Sequence, residues 1–406
     1  MTLRDAVERD IRDRRAEEGY LFPDYGGYCF AGVPGTAADV LGADLGPTLP
    51  GDVLQGIGTD VGRVLVVLVD GFGLGPWRRD RDEHPLLDRL TERGRVTPLT
   101  SVYPSETAAA ITTFHTARLP ARHGLIGWNL YEPTIDTTFE SLPFRTKDGD
   151  EPPMDRAALY EGDPLYPALA EAGIESHHVV PFQGTYEGAR CHSYDDLAGI
   201  GEGITDVLGA ATPPAYVFAY LPQIDSVSHH EGTEAPAYGE TLDAIEAQLE
   251  SVIESVPPAV AEDTLLVVTA DHGHVDTGEN VDLGNLGIEG SLRRHADGTP
   301  IRFAGSPRNL HLHVQPDALG DVRDRLSELD ARVFERETAF ERGLFGGDPC
   351  GTLRRRVGDL VVVHRDRGVW WADLEPAEFS QVGMHGGLHP EEMLVPLAAA
   401  ELSRLR

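Results

Sequence analysis

Three apolar segments of the chain each end on an aspartate. VLVVLVDGFG reaches Asp70, AYVFAYLPQIDSVSH reaches Asp225, and LLVVTADHGHVD reaches Asp271 with His272 directly after it. Neighbouring side chains on a regular strand point to opposite faces, so Asp271 and His272 converge only once the chain has left the sheet. Gly273 is expected to permit that turn through its conformational freedom. If the chain turns into a helix at Asp225, then Asp225 and His229 share a face, a common metal-ligand spacing. A late stretch, GMHGGLHPEEM, adds His385 and His389 in a glycine-rich loop that could close over the same place. Mixed carboxylate and imidazole donors suit zinc or manganese better than calcium, which prefers oxygen alone. In so acidic a chain a single aspartate at a strand end is more often a turn or a helix cap. The repetition at three strand ends is what favours a metal centre.

Two cations side by side handle phosphorus chemistry well, because they can bind both the attacking and the leaving oxygen of an in-line displacement. Such a site needs a nucleophile. YPSETAAAITTFHTARLPARHGLIGW, between Asp70 and Asp225, places Thr107 at the opening of a helix, where unpaired N–H groups and the helix dipole favour an anion. A hydroxyl there could attack as the alkoxide beside a metal. An ordinary N-cap role for Ser105 or Thr107 fits the same spacing. His115, on the same helix, reads as packed, as do His177 and His178 within a strand.

These residues require a sheet edge to hold them. Strand patterns at Arg63–Val69, Arg95–Thr100, Ile174–Val180, Tyr216–Leu221 and Thr264–Thr269 alternate with helical patterns at 84–94, 107–118, 165–172 and 235–256. Alternation of this kind predicts an α/β fold with a mainly parallel central sheet flanked by helices, its ligands beyond the carboxyl ends of the strands. The stretch 280–345 breaks the rhythm and reads as strand, helix, strand. It is expected to be a small inserted α+β subdomain, after which Gly358–His364 returns to the core. The predicted organisation is an N-terminal arm over 1–60 wrapping the core, a first core part over 61–279, the insert, and a last core part over 346–406.

The formal net charge is -33, and Lys147 is the single lysine among 34 basic residues. An acidic surface in which arginine nearly replaces lysine suits high salt, where screening limits self-repulsion. It argues against an extended nucleic-acid-binding surface. No uninterrupted apolar run approaches the roughly 20 residues of a membrane-spanning helix. The charged first residues carry no signal-peptide core, so a cytoplasmic location is expected. Cys29, Cys191 and Cys350 are odd in number and far apart, giving neither a disulfide framework nor a cysteine metal site.

The motifs together resemble the alkaline phosphatase superfamily, most closely its type I phosphodiesterase / nucleotide pyrophosphatase branch. That branch's nucleophile segment reads P-[ST]-x-T-F-P-N-H and continues to P-x-x-H-G. Here Pro104-Ser105-Glu106-Thr107 and Pro120-Ala121-Arg122-His123-Gly124 fall in register, and the D-S-x-x-H, D-H-G and H-G elements follow in order, so the resemblance spans Arg63 to Pro396. It implies two divalent metal ions, zinc first and manganese as the alternative. One would be held by Asp225, His229 and His385; the other by Asp70, Asp271 and His272, with Thr107 as a nucleophile touching the second. His385 is preferred to His389 because it heads the H-G pair. The implied reaction is hydrolysis of a phosphodiester or pyrophosphate bond in a small molecule, a nucleotide included, through a covalent threonine intermediate. Phosphonoacetate-type C–P hydrolysis and phosphomonoester hydrolysis are the alternatives within the superfamily.

Two departures bear on the substrate. F-P-N-H after the nucleophile is replaced by Ala108–Ile111, small and apolar. The asparagine that the family often places after H-G-[IL]-[IV]-G, as a donor to a phosphoryl oxygen, is replaced by Trp128. Asn129, one residue later, is the candidate replacement donor. Trp128 is a candidate stacking surface, and Arg308, in FAGSPRNLHLHV, a candidate for reaching a phosphate or carboxylate.

Overall fold

The computed structural model describes residues 3–184 and 186–406. Its central sheet has seven strands, in the order Arg95–Thr100, Leu394–Glu401, Thr264–Thr269, Arg63–Val69, Ala215–Leu221, Glu175–Val180 and Arg190–Ser193. All run parallel except Leu394–Glu401, which is antiparallel to both neighbours. The middle strands are unbroken runs of aliphatic and aromatic residues because helices cover both faces. Every residue of Arg63–Val69 and of Thr264–Thr269 is buried.

Register explains why three distant aspartates meet. Val69 pairs with Leu221, and Leu68 with Thr269, so the three central strands leave the sheet at nearly the same level. Asp70, the turn after Leu221, and the Ala270-Asp271 step therefore share one edge. The expected helices are present at Pro85–Arg93, Thr107–Thr116, Tyr166–Glu171 and Pro236–Ser255. No helix among the described residues is long and apolar enough to cross a membrane.

The second sheet departs from expectation. It is antiparallel, in the order Ala331–Glu335, Leu360–His364, Asn309–Leu312, Gly305–Ser306, Asn129–Glu132, Thr137–Glu140 and Arg145–Thr146. The strand–helix–strand over 280–345 is there, with its helix at Leu319–Leu326. Leu360–His364, however, does not return to the core. It lies between Asn309–Leu312 and Ala331–Glu335, and the chain rejoins the central sheet only at Leu394–Glu401. Three successive antiparallel strands from the first half of the chain complete this sheet, which therefore draws on two segments far apart in sequence. A separate apolar cluster, including Leu310, Val322, Leu326, Val362 and Trp370, fills it.

The first 60 residues contain more regular structure than an irregular arm, with helices at Asp5–Arg15 and Val33–Val40. They cover the edge of the central sheet: Arg4 N–H donates to Val96 O at 3.0 Å, and Cys29 bridges to Thr100.

Candidate metal centre

Asp70 follows directly on Arg63–Val69. Asp225 and His229 lie on the helix Gln223–Glu231, which starts two residues after Ala215–Leu221. Asp271 and His272 leave Thr264–Thr269 in a turn where glycine is required for a reason other than the expected one. Gly273 does not use the left-handed region; a Cβ on it would collide with the Glu391 carbonyl oxygen. Gly71 does use that region, at φ +75°, and its missing Cβ lets Asp225 and His274 approach.

The histidines are aimed by their own backbone contacts. His229 Nδ1–H donates to Gly383 O at 2.8 Å, His385 Nδ1–H to Ser105 O at 3.1 Å, and His272 Nδ1–H to Gly273 O at 3.1 Å. Each assignment leaves Nε2 as the free donor facing inward, the usual way a carbonyl orients a metal-binding imidazole. Asp225 Oδ1 lies 3.3 Å from His229 Nε2 and 3.4 Å from His385 Nε2; the two Nε2 atoms are 3.2 Å apart. Asp70 Oδ1 lies 3.3 Å from His272 Nε2, and Asp271 Oδ2 lies 3.5 Å from it. The rings of His272 and His385 stack at 3.7 Å, joining the two halves. Thr107 opens its helix with Oγ1 3.1 Å from His272 Nε2 and 3.4 Å from Asp70 Oδ1. All seven residues expected to hold metal are thus gathered at one edge: Asp70, Thr107, Asp225, His229, Asp271, His272 and His385.

Their electrostatics fit cations. Burial pushes Asp70 well above the usual carboxylate range, and Asp271 and Asp225 beside it add to the shift. Burial likewise raises Asp271, against the pull of His272. Asp225 is held well below its usual range despite burial, by His229, His274 and His385. Burial keeps His385 neutral, well below the ordinary imidazole value. Asp271 Oδ2 is buried with no hydrogen-bond partner among the described residues. Two buried carboxylates, one with an orphaned oxygen, and the partly buried Asp225 beside them are costly without positive charge among them. Donors that could hold an ion form two overlapping groups, Asp225 with His229, His274 and His385, and Asp70 with Asp225 and His272. Asp225 belongs to both, and Asp271 flanks the second.

His274 lies in the same cluster, although none of the sequence motifs singles it out. Its signal lay two residues past His272, in the same DHGH turn. His389 is elsewhere: it caps the helix Pro390–Met393, its Nδ1 accepting Glu391 N–H at 3.1 Å.

Two of the expected substrate-binding residues are corrected. Arg308 is fully buried and does not reach the cleft. Its guanidinium is used up on Glu392, at 2.6 and 2.9 Å, and on the carbonyls of Arg365 and Arg367. Asn129 is also fully buried, and its amide donates to Gly305 O at 3.2 Å and Glu378 Oε2 at 3.4 Å rather than towards Thr107. Trp128 remains 36% exposed; its backbone N–H donates to Glu106 Oε2 at 2.8 Å. Glu106, next to Thr107, is pushed up to about 7 by burial, although Ser306, Asn309 and Trp128 donate to it.

Beside Thr107 opens a cavity of about 900 Å³, lined by Ile111, Tyr160, Phe182, Tyr186 and Tyr220 among others. Tyr220 joins the cavity to this cluster of side chains, its hydroxyl donating to Asp70. All its lining residues fall between Thr107 and Pro222, outside the stretch 280–345, and neither Trp128 nor Arg308 is among them.

Solved structures share this fold. Murine ectonucleotide pyrophosphatase / phosphodiesterase 5 superposes with a TM-score of 0.66 at 18% identity, covering 83% of this chain and 87% of its own. An inactive threonine-to-alanine form of it, in complex with AMP, matches equally. Phosphonoacetate hydrolase from Sinorhizobium meliloti 1021, in complex with phosphonoformate, gives 0.62 at 17% identity over 85% of this chain and 95% of its own. The family profile described as type I phosphodiesterase / nucleotide pyrophosphatase matches residues 64–388, from the first core strand to the glycine-rich loop of His385. The chain therefore belongs to the type I phosphodiesterase / nucleotide pyrophosphatase family of the alkaline phosphatase superfamily, and is an enzyme of that kind.

Proposed function

We propose that the protein hydrolyses phosphodiester or pyrophosphate bonds of small molecules, nucleotides among them, through a covalent intermediate on Thr107. Two divalent cations, zinc first and manganese second, would be held by Asp225, His229 and His385 on one side and by Asp70, Asp271 and His272 on the other. The single observation that carries this reading is the position of Thr107 Oγ1, 3.1 Å from His272 Nε2 and 3.4 Å from Asp70, at the mouth of an apolar cavity.

Bound cations would neutralise the buried carboxylates, polarise the phosphoryl oxygens and acidify the attacking hydroxyl. The chain's own residues do the rest. Thr107 Oγ1 gives its proton to water and forms the O–P bond as the bond to the leaving group breaks, the leaving group departing with the bonding electron pair. Water then hydrolyses the threonine ester and restores the hydroxyl. The unpaired N–H groups at the start of Thr107–Thr116 face the phosphoryl group and favour its negative charge. Ser105 fixes the approach of the two loops, its hydroxyl donating to Gly387 O at 2.8 Å while its carbonyl holds His385.

The cavity favours a diester over a monoester. A monoester presents only charged oxygens there, whereas a diester brings a second organic group, which apolar walls accept. The deciding comparison is bis(4-nitrophenyl) phosphate against 4-nitrophenyl phosphate, by kcat/KM. A clear diester preference is expected; a strong monoester preference would overturn the reading. Phosphonoacetate belongs in the same assay, because the phosphonoacetate hydrolase shares the fold. Turnover of that compound alone would select C–P cleavage.

A further inference from the structure

His274 carries no part of the reading above, yet it occupies the centre of the cluster. Its side chain is wholly buried, Nε2 stands 3.0 Å from Asp225 Oδ1, and Nδ1 has no hydrogen-bond partner among the described residues. The backbone makes room for the ring: a Cβ on Gly71 would stand 2.7 Å from Nε2, and one on Gly383 3.3 Å from Nδ1. Burying an imidazole with one nitrogen unsatisfied costs about 1–3 kcal/mol. A residue kept for packing alone would serve better as an aliphatic, so Nε2 must gain something in return.

The spacing shows what that is. Four donors set tetrahedrally about 2.0 Å from an ion lie about 3.3 Å from one another. Around Asp225 Oδ1 the separations are 3.0 Å to His274, 3.3 Å to His229 and 3.4 Å to His385, with 3.2 Å between His229 and His385. The rings of His229 and His385 stand 5.0 and 5.1 Å from that of His274, at 81° and 74°, so the three imidazoles approach from different directions.

We propose that His274 Nε2 is a fourth protein ligand of the cation held by Asp225, His229 and His385. This rests on the two-cation reading and sharpens it, because the two sites then differ in kind. One offers three imidazoles and a carboxylate, a set that suits zinc or cobalt. The other, with Asp70, Asp271, His272 and the Thr107 hydroxyl, is rich in oxygen and tolerates harder ions such as manganese.

The test uses the full-length protein stripped of metal and loaded with cadmium-113, whose resonance position reports the donor atoms around each ion. Wild type should give two resonances. His274→Ala should displace or abolish one and leave the other in place, with affinity for that ion falling more than about 100-fold in chelator competition, beyond the usual effect of an outer-sphere contact. His274→Met, closer to the ring in volume, serves if the alanine variant fails to fold. Two unmoved resonances in the variant would overturn the proposal; with weakened affinity they would make His274 a positioning residue for Asp225. No resonance in wild type would remove the two-cation reading and the proposal with it.

Discussion

Arg308 and Glu392 form an ion pair at 2.6 Å with both side chains wholly buried. The same carboxylate accepts the N–H groups of Gly387 at 3.0 Å and His389 at 2.7 Å, so the pair braces the loop that carries His385. Breaking one half of such a pair strands the other as a buried charge, at a cost of about 3–5 kcal/mol. Arg308→Ala is therefore expected to lower the unfolding midpoint steeply and to loosen metal retention. The ratio of kcat/KM between a dinucleotide and a simple aryl diester should stay unchanged. Arg308→Met combined with Glu392→Met should recover part of the lost stability. A shifted substrate ratio in a stable single variant would return Arg308 to the substrate.

Thr107 is only partly buried, and among the described residues the hydrogen bonds of its hydroxyl run solely to Asp70 and His272. Its removal should leave the fold and the metal content intact. Thr107→Ala is expected to lower kcat with an aryl diester on the order of 10⁴-fold or more, and Thr107→Ser to keep part of the activity. Mass spectrometry of acid-quenched wild type should find the adduct on this residue. An alanine variant that turns over at the wild-type rate would exclude Thr107 as nucleophile.

The strand ends were legible because parallel strands buried on both faces read as unbroken apolar runs, and their carboxyl ends must share an edge. What stayed hidden depended on partners far away in sequence. Arg308 looked available because arginines are mostly exposed, and nothing local marks Glu392, 84 positions on, as its partner. His274 stood in plain sight beside His272, but its meaning lies in Asp225, 49 positions before it. The second sheet is hidden from the sequence for the same reason. Leu360–His364 is as apolar as a core strand, and only its pairing with Asn309–Leu312 shows where it belongs.

Phe182 lines the cavity and is 54% exposed, with its ring 6.3 Å from that of Tyr220. Little of the fold rests on it. An aromatic contact to an aryl or base group is worth about 1 kcal/mol, or roughly fivefold in KM. Phe182→Ala should raise KM for bis(4-nitrophenyl) phosphate by that factor, leave kcat within about twofold, and leave the unfolding midpoint unchanged. Equal losses for aryl and methyl diesters would show that the organic group does not rest on this wall.

Glu132 ties the second sheet to the helix Gly351–Arg356 through contacts that acid should weaken. It ends the strand Asn129–Glu132 of the second sheet and accepts from Arg355 at 2.8 Å and Arg356 at 2.9 Å. Arg356 in turn donates to the carbonyls of Gly124 and Leu159. Burial works to raise this carboxyl, but hydrogen bonds from Arg355 and Thr134 and the charge of Arg356 prevail and hold it at about 2, against an ordinary 4.5. A depressed acid contributes stability above its unfolded value and loses it as pH falls through its folded value. Glu132→Gln should therefore be less stable than wild type at pH 7. Its deficit in unfolding midpoint should hold down to about pH 4.5 and close as pH falls towards 2. Chemical denaturation at several pH values measures this directly. A deficit that persists undiminished at pH 2 would mean that the glutamate acts through shape and not through its charge.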